Sequence, residues 1–285
     1  MTNKWTFVLA EYVIHGHLEE EEDFNYLAMM EKISTVPAQS RVIDQKDSQG
    51  RVNRSVMIEN ITRGENVWLM EYVQVDGVDN VEVWNPRVGY TTESIDLPGQ
   101  VAKRGWLLID PRKRRIYHSR SKNKIPLSEM MNYLEEVARG QYKQGLTIDY
   151  TPAIDESFMQ SILAYDIIRK VNITISEPNY DWADANDLKA QAQPSDASRV
   201  GVEYEAAPGG TLNHTAGVLP SLEEELNKET PSVSGIKAEV RNEGDSGTTT
   251  LNDRNSRKKR IVSTSVSGIG VDLLRVAEKI IKKGE

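Results

Sequence analysis

Positive charge in this 285-residue chain is gathered into two short segments, and the chemistry such segments do best is holding phosphates. Residues 103–124 (KRGWLLIDPRKRRIYHSRSKNK) carry nine Lys/Arg against one Asp, a local +8. Residues 254–260 (RNSRKKR) carry five with no acid. The whole chain is at −8, so setting aside these two segments, +13 together, leaves −21 for the rest. An acidic protein that concentrates its cations this way has the electrostatic footprint of a polyanion binder. Within the first segment, alternation puts Arg115, Tyr117 and Ser119 on one strand face and Ile116 and His118 on the other, with Arg112, Lys113 and Arg114 crowding a turn. The phosphate contacts expected from this reading are Arg112, Lys113, Arg114, Arg115, Arg257, Lys258, Lys259 and Arg260, with Tyr117 offered to stack on a base. The competing account of each run is a solvated surface whose cations pair with the chain's many acids. Residues 257–260 also fit a nuclear-import stretch.

Other chemistry is thinly represented. His15-Gly16-His17 puts two imidazoles on one strand face, a spacing that can chelate a metal, but no third ligand is selected from the acids at 19–23. Asp181, Asp184 and Asp187 at a helix start are explained by capping and by the helix dipole. Two-metal nucleases place an acid two residues before a Lys. Asp44-Gln45-Lys46 and Asp187-Leu188-Lys189 have that spacing, one in a polar loop and one in a weak helix. Gly268-Ile269-Gly270 joins a strand to a helix without the third glycine of a dinucleotide fingerprint. There is no Walker loop, G-x-S-x-G elbow or H-E-x-x-H. No catalytic residue, metal site or cofactor is therefore assigned. Zero Cys removes disulfides, thiolate ligands and a Cys nucleophile, and fits a reducing compartment. No apolar run approaches the length of a membrane span, and the short apolar patch at the N-terminus reads as a strand, not a signal peptide. The expected location is the cytoplasm.

The elements that must carry these residues read as follows. A strand over 4–17 leads into a helix over roughly 19–33, its acids in the first turn, stopping before Val36-Pro37. Period-two patterning from 41 to 84, with turns at Gln49-Gly50, Arg63-Gly64 and Asp76-Gly77, predicts an antiparallel meander. Residues 105–110 and 115–119 form a hairpin with Pro111-Arg112-Lys113 at its tip. A helix over 127–138 is closed by Gly140. Further on come a helix over 156–166, a strand over 171–175, a break at Glu177-Pro178-Asn179 and a weak helix over 181–191. A strand over 199–207, a helix over 221–227 and strands over 236–241 and 259–266 follow, then an amphipathic helix over 271–282. That last helix suits core packing or dimerisation better than a membrane surface. The sum is an α+β fold of mostly antiparallel sheets with helices packed on one side, in two domains, 1–145 and 146–285.

The second half also resembles the phage exclusion, or abortive-infection, proteins typified by the A protein of the lambda Rex system. The residues that carry the resemblance begin with Ile162-Leu163-Ala164-Tyr165-Asp166-Ile167-Ile168 running into Val171-Asn172-Ile173-Thr174-Ile175. The break at Glu177-Pro178-Asn179 and the strand at 200–207 follow. Residues 235–240 (GIKAEV) and the turn at 247–250 (GTTT) complete the pattern. The resemblance implies a cytoplasmic, dimeric, non-enzymatic component that senses phage nucleic acid and signals to an effector, for example a membrane protein. Joined to the charge pattern, it predicts largely sequence-independent binding of nucleic acid, expected to be double-stranded DNA, in phage defence. The alternatives are a protein–protein interaction subunit whose basic runs pair internally, and a metal-dependent nuclease toxin.

Overall fold

The computed structural model describes residues 4–18, 24–46, 48–50, 52–76, 80–84, 92–96, 101–119, 125–155, 157–176, 199–228, 231–265, 273–275 and 278. The fold is α+β and its sheets are antiparallel. In chain order, β1 (Lys4–His17) leads to α1 (Tyr26–Thr35) and β2 (Ile43–Lys46). The meander follows as β3 (Val52–Arg63) and β4 (Trp68–Asp76), with β5 (Asn80–Trp84) and β6 (Thr92–Asp96) as a separate two-stranded ribbon. The basic hairpin is β7 (Val101–Asp110) and β8 (Arg115–His118), and α2 (Leu127–Gln141) and β9 (Thr147–Pro152) come next. The remainder is α3 (Ser157–Leu163), β10 (Ile167–Ser176), β11 (Arg199–Glu205), α4 (Val218–Leu226), β12 (Val233–Arg241), β13 (Thr249–Asn252) and β14 (Lys259–Ser265).

The first sheet runs β14-β1-β8-β7-β4-β3-β2, with β9 also paired to β1. The central strand β4 is buried on both faces, as its nearly unbroken apolar run WLMEYV requires. Trp68, Met70 and Tyr72 face a core shared with Met29, Met30 and Ile33 of α1 and Met130, Leu134 and Val137 of α2. Leu69, with Leu9, Val67, Leu108 and Tyr117, faces the opposite side, where Leu273 and Leu274 pack. Tyr133 of α2 ties helix to sheet. It takes a hydrogen bond from Ile58 N at 3.0 Å, and its hydroxyl donates to Arg41 O. Burial pushes its phenol up to about 12.

The second sheet runs β11-β10-β12-β13. Alternation decides its faces. Val171, Ile173 and Ile175 of β10 and Ile236, Ala238 and Val240 of β12 share a core with Phe158 and Ile162 of α3 and Leu219 and Leu222 of α4. Asn172 and Thr174 consequently point to the other face, and register places Lys237 opposite Asn172 and Asn252 opposite Lys237.

Several boundaries differ from expectation. α1 begins at Tyr26, capped by Asn25 Oδ1, which accepts from Ala28 N at 2.9 Å, so the acids at 19–23 are not its first turn. Gly140 lies inside α2 and does not close it. α3 stops at Leu163, short of the expected 166, and β10 opens at Ile167, ahead of the expected 171, because Ile168 is needed in the second core. The polar stretch 242–256 contains the strand β13. Two strands beyond the expected boundary at 145/146, β9 and β14, belong to the first sheet, so the sheets do not divide the chain there. The acids at 19–23, the break at 177–179, the weak helix at 181–191 with its Asp187-Leu188-Lys189, the Gly268-Ile269-Gly270 turn and most of the helix at 271–282 lie outside the described residues.

Candidate nucleic-acid interface

Arg120, Lys122 and Lys124 of the first basic run lie outside the described residues, and of the rest Lys103, Arg104 and Arg115 are spent on the fold. Lys103 Nζ sits 2.6 Å from Asp76 Oδ2, and Arg104 pairs with Glu59. Burial alone would raise the Asp76 carboxyl, but hydrogen bonds from Lys103, Gln74 and Arg54 outweigh it and hold the pKa below the usual value. The one acid of the run, Asp110, builds the turn: its Oδ1 accepts from Arg112 N and Lys113 N, both at 3.0 Å. The turn closes through Arg114 at φ 51°, in the left-handed region that few non-glycine residues occupy. The Arg114 guanidinium lies 5.4 Å from the centre of the Tyr26 ring, and Arg112 Nη1 reaches Asn66 Oδ1 at 3.4 Å.

Two expectations need correction at this hairpin. Arg115, 8% exposed, faces Glu11 with Nε 3.5 Å from Oε1. Tyr117, 4% exposed, lies in the outer core with Leu9, Leu69 and Leu108. Neither is presented to a ligand. The period-two face that grouped them is real, but a sheet flanked on both sides buries it. Arg112 is exposed at the tip, while Lys113 and Arg114 are half-buried.

The second run occupies a different kind of place. The chain crosses between the sheets twice, after β9 and before β14, and the two crossings are hydrogen-bonded to each other. Asp155 N donates to Ser256 O at 2.7 Å and Lys258 N to Ala153 O at 2.9 Å, while Ile154 bridges Arg257. The backbone of Glu11 sits between them, its N–H on Lys258 O and its carbonyl accepting from Ala153 N. Arg257 is thereby fixed at the junction of the sheets.

Beside that junction lies a groove of about 370 Å³, walled by Thr151 and Pro152 of the first sheet and by the polar face of the second. Its cations are Arg199, Lys237, Arg254 and Arg257, and Asn172 and Asn252 add neutral polar groups. Arg199 also reaches across to Asp149, Nη2 to Oδ2 at 3.7 Å. Among the described residues no carboxylate forms an ion pair with Lys237, Arg254 or Arg257. The buried Nε of Arg257 has no hydrogen-bond partner among them. The acid in the groove, Asp253, is buried, and its pKa is raised by that burial against the pull of Arg257 and a backbone hydrogen bond from Ile236. A second cavity of about 290 Å³ adjoins the first and shares Pro152, Arg254 and Arg257 with it; Lys259 completes its cationic rim. Lys258 is half-buried, its backbone locked to Ala153 and Glu11, and Arg260 pairs in register with Leu9.

The two basic runs therefore border opposite edges of β1. Ala10 pairs with Lys259 on one edge and with His118 on the other. Sequence reasoning missed Arg199 and Lys237, which stand far from either run; the signal available was the Asn/Thr alternation of β10, which marks a polar sheet face. Arg254 was within the second run but not among its expected contacts. The metal and nuclease candidates gain no geometry. His15 is buried, its Nε2 2.9 Å from Thr151 Oγ1, whereas His17 is exposed. Asp44 accepts from Ser55 Oγ at 2.6 Å on the edge strand β2. Among the described residues no three His, Cys, Asp or Glu side chains converge on a metal position, and no helix is long and apolar enough to cross a membrane.

Residues 94–223, less than half of the chain, match a family model described as a domain of unknown function, DUF4747. The matched span runs from β6 to α4 and includes Arg199 and Asn172, while Lys237, Arg254 and Arg257 lie beyond it. No curated protein matches the chain.

Proposed function

We propose that this protein binds nucleic acid without catalysis, through the phosphate backbone, in the groove between its two sheets. The observation that carries the reading is the convergence of Arg199, Lys237, Arg254 and Arg257, from three separate segments, on one groove in a chain of net charge −8. An acidic protein has acids to spare for neutralising its cations. At the hairpin it uses them, on Lys103, Arg104 and Arg115. In the groove Arg199 has Asp149, but Lys237, Arg254 and Arg257 form no ion pair with a carboxylate among the described residues. Cations left without a paired acid attract an external polyanion. The resemblance of the second half to phage exclusion proteins supplies the proposed setting, a nucleic-acid sensor in phage defence.

Binding should fall steeply with salt, because each neutralised phosphate releases counterions. With the four groove cations and Lys259 of the adjoining cavity engaged, log K against log[salt] should have a slope of roughly −3.5 on a single strand and −4.5 on a duplex. The double variant Arg254→Ala/Arg257→Ala should weaken binding at low salt and flatten the slope by roughly 1.5 to 2. An unchanged slope would remove the groove from the site. Cleavage dependent on Mg²⁺ would instead favour the nuclease. No binding by the intact protein at low salt would turn the search to protein partners.

A further inference from the structure

We infer that the groove accepts a single strand, with one unpaired base lodged in the adjoining cavity while the flanking phosphates lie along Arg199, Lys237, Arg254 and Arg257. This rests on the nucleic-acid reading above and narrows it against duplex DNA. The two cavities differ in character but are neighbours, with Pro152, Arg254 and Arg257 lining both. The larger is lined by charged and amide side chains. The smaller has an apolar floor of Val8, Ala10, Tyr12 and Pro152 beneath a rim of Arg254, Arg257 and Lys259. Val8 is 43% exposed, an open aliphatic surface on a strand whose next residue, Leu9, is buried. Glu11 also lines this cavity, and its Oε1 lies 3.5 Å from Arg115 Nε, an ion pair that offsets its charge.

A phosphate has no use for an aliphatic floor, and a purely apolar ligand has none for three cations. A nucleotide has both parts: a flat base to lie on the floor and under guanidinium planes, and an anionic backbone to continue into the groove. A duplex keeps its bases stacked inside and presents phosphates alone, so it would leave the smaller cavity empty. At about 290 Å³ that cavity is at the small end of ligand pockets, a volume for one nucleotide's base and not for a run of them.

The test compares four probes on the full chain: a single-stranded DNA oligonucleotide, its RNA equivalent, the same DNA strand made of abasic nucleotides, and a matched duplex. The inference predicts that the ordinary strand binds about tenfold tighter than its abasic counterpart, and that one 2-aminopurine in the strand changes its emission on binding. Val8→Glu places a charge on the floor at an exposed position that tolerates substitution. It should abolish the difference between ordinary and abasic strands while the variant keeps its circular dichroism spectrum. Equal affinity for ordinary, abasic and duplex probes would overturn the base cavity and leave backbone binding standing. Absence of binding to all four would overturn both. A preference between RNA and DNA supports the inference only where the ordinary DNA strand also outbinds the abasic one; a sugar preference without that difference overturns the base cavity.

Discussion

His15 sits behind the groove wall, on the face of β1 that carries Glu11, and its only route to notice is thermodynamic. Burial lowers its pKa from 6.5 to about 4; Asp149 pulls upward, and Arg114, Arg115 and Arg199 push further down. In the unfolded chain the ring takes a proton near pH 6.5, in the folded chain near 4, so the unfolded state binds more protons between those values. Stability from this group is complete above about pH 6.5, declines as pH falls through that window and levels off below it, a total of about 3 kcal/mol. His15→Gln, which keeps a polar partner for Thr151 but cannot titrate, should show a flatter decline between pH 7 and 4 in urea midpoints. A parallel decline would mean that other groups set the acid sensitivity. None of this was legible in the sequence. The spacing His15-Gly16-His17 suggests a shared role, but strand pairing with β9 buries one ring and leaves the other in solvent.

At the scale of elements, Gly16 explains how α1 seats on β1. A Cβ there would lie 2.2 Å from a Phe24 ring carbon, and that ring is held edge-on by Tyr26, with ring centres 4.3 Å apart. Gly105 on β7 also has a near neighbour, Met130 Cε at 2.1 Å, but that is the free end of a flexible side chain. Gly16→Ala should therefore cost about 1–3 kcal/mol and Gly105→Ala distinctly less, since a ring cannot yield and a thioether can. Thermal melts of the two variants side by side test this; equal losses would mean that Phe24 is less constrained than its packing implies. Strands and hairpins were the most legible elements, because alternation and turn residues report locally on both partners. Element ends were less so: Gly140 looks like a helix stop, yet Tyr142 N and Lys143 N still bond to Ala138 O, so the helical bonding runs past it.

For the whole molecule, the two basic runs make opposite uses of the same residue types. Neutralising Arg112 and Lys113 at the hairpin tip should leave the salt slope of binding within about 0.5 of the wild type, whereas the groove substitutions flatten it. A hairpin variant that lost as much slope as the groove variant would show both edges of β1 touching the ligand. The α+β class was legible because patterning sets it. The groove was not, because Arg199, Lys237 and Arg257 are brought together by which strand pairs with which, and that is decided by burial over distances no local pattern spans. That the first sheet takes strands from both sides of 145/146 was hidden for the same reason: nothing in residues 259–265 announces that their partner is residues 4–10.

That pairing has a consequence for how the chain is made. β1 leaves the ribosome well before β14, and at 5–20 residues per second their synthesis is separated by roughly ten seconds to a minute. For that interval the Lys4–Ala10 half of β1 lacks its partner on one edge, an open row of peptide groups able to recruit any passing strand. The cations that enter with Arg254–Lys259 arrive only as that edge is sealed. The groove walls contributed by this segment are therefore in place only once the β1–β14 edge is paired.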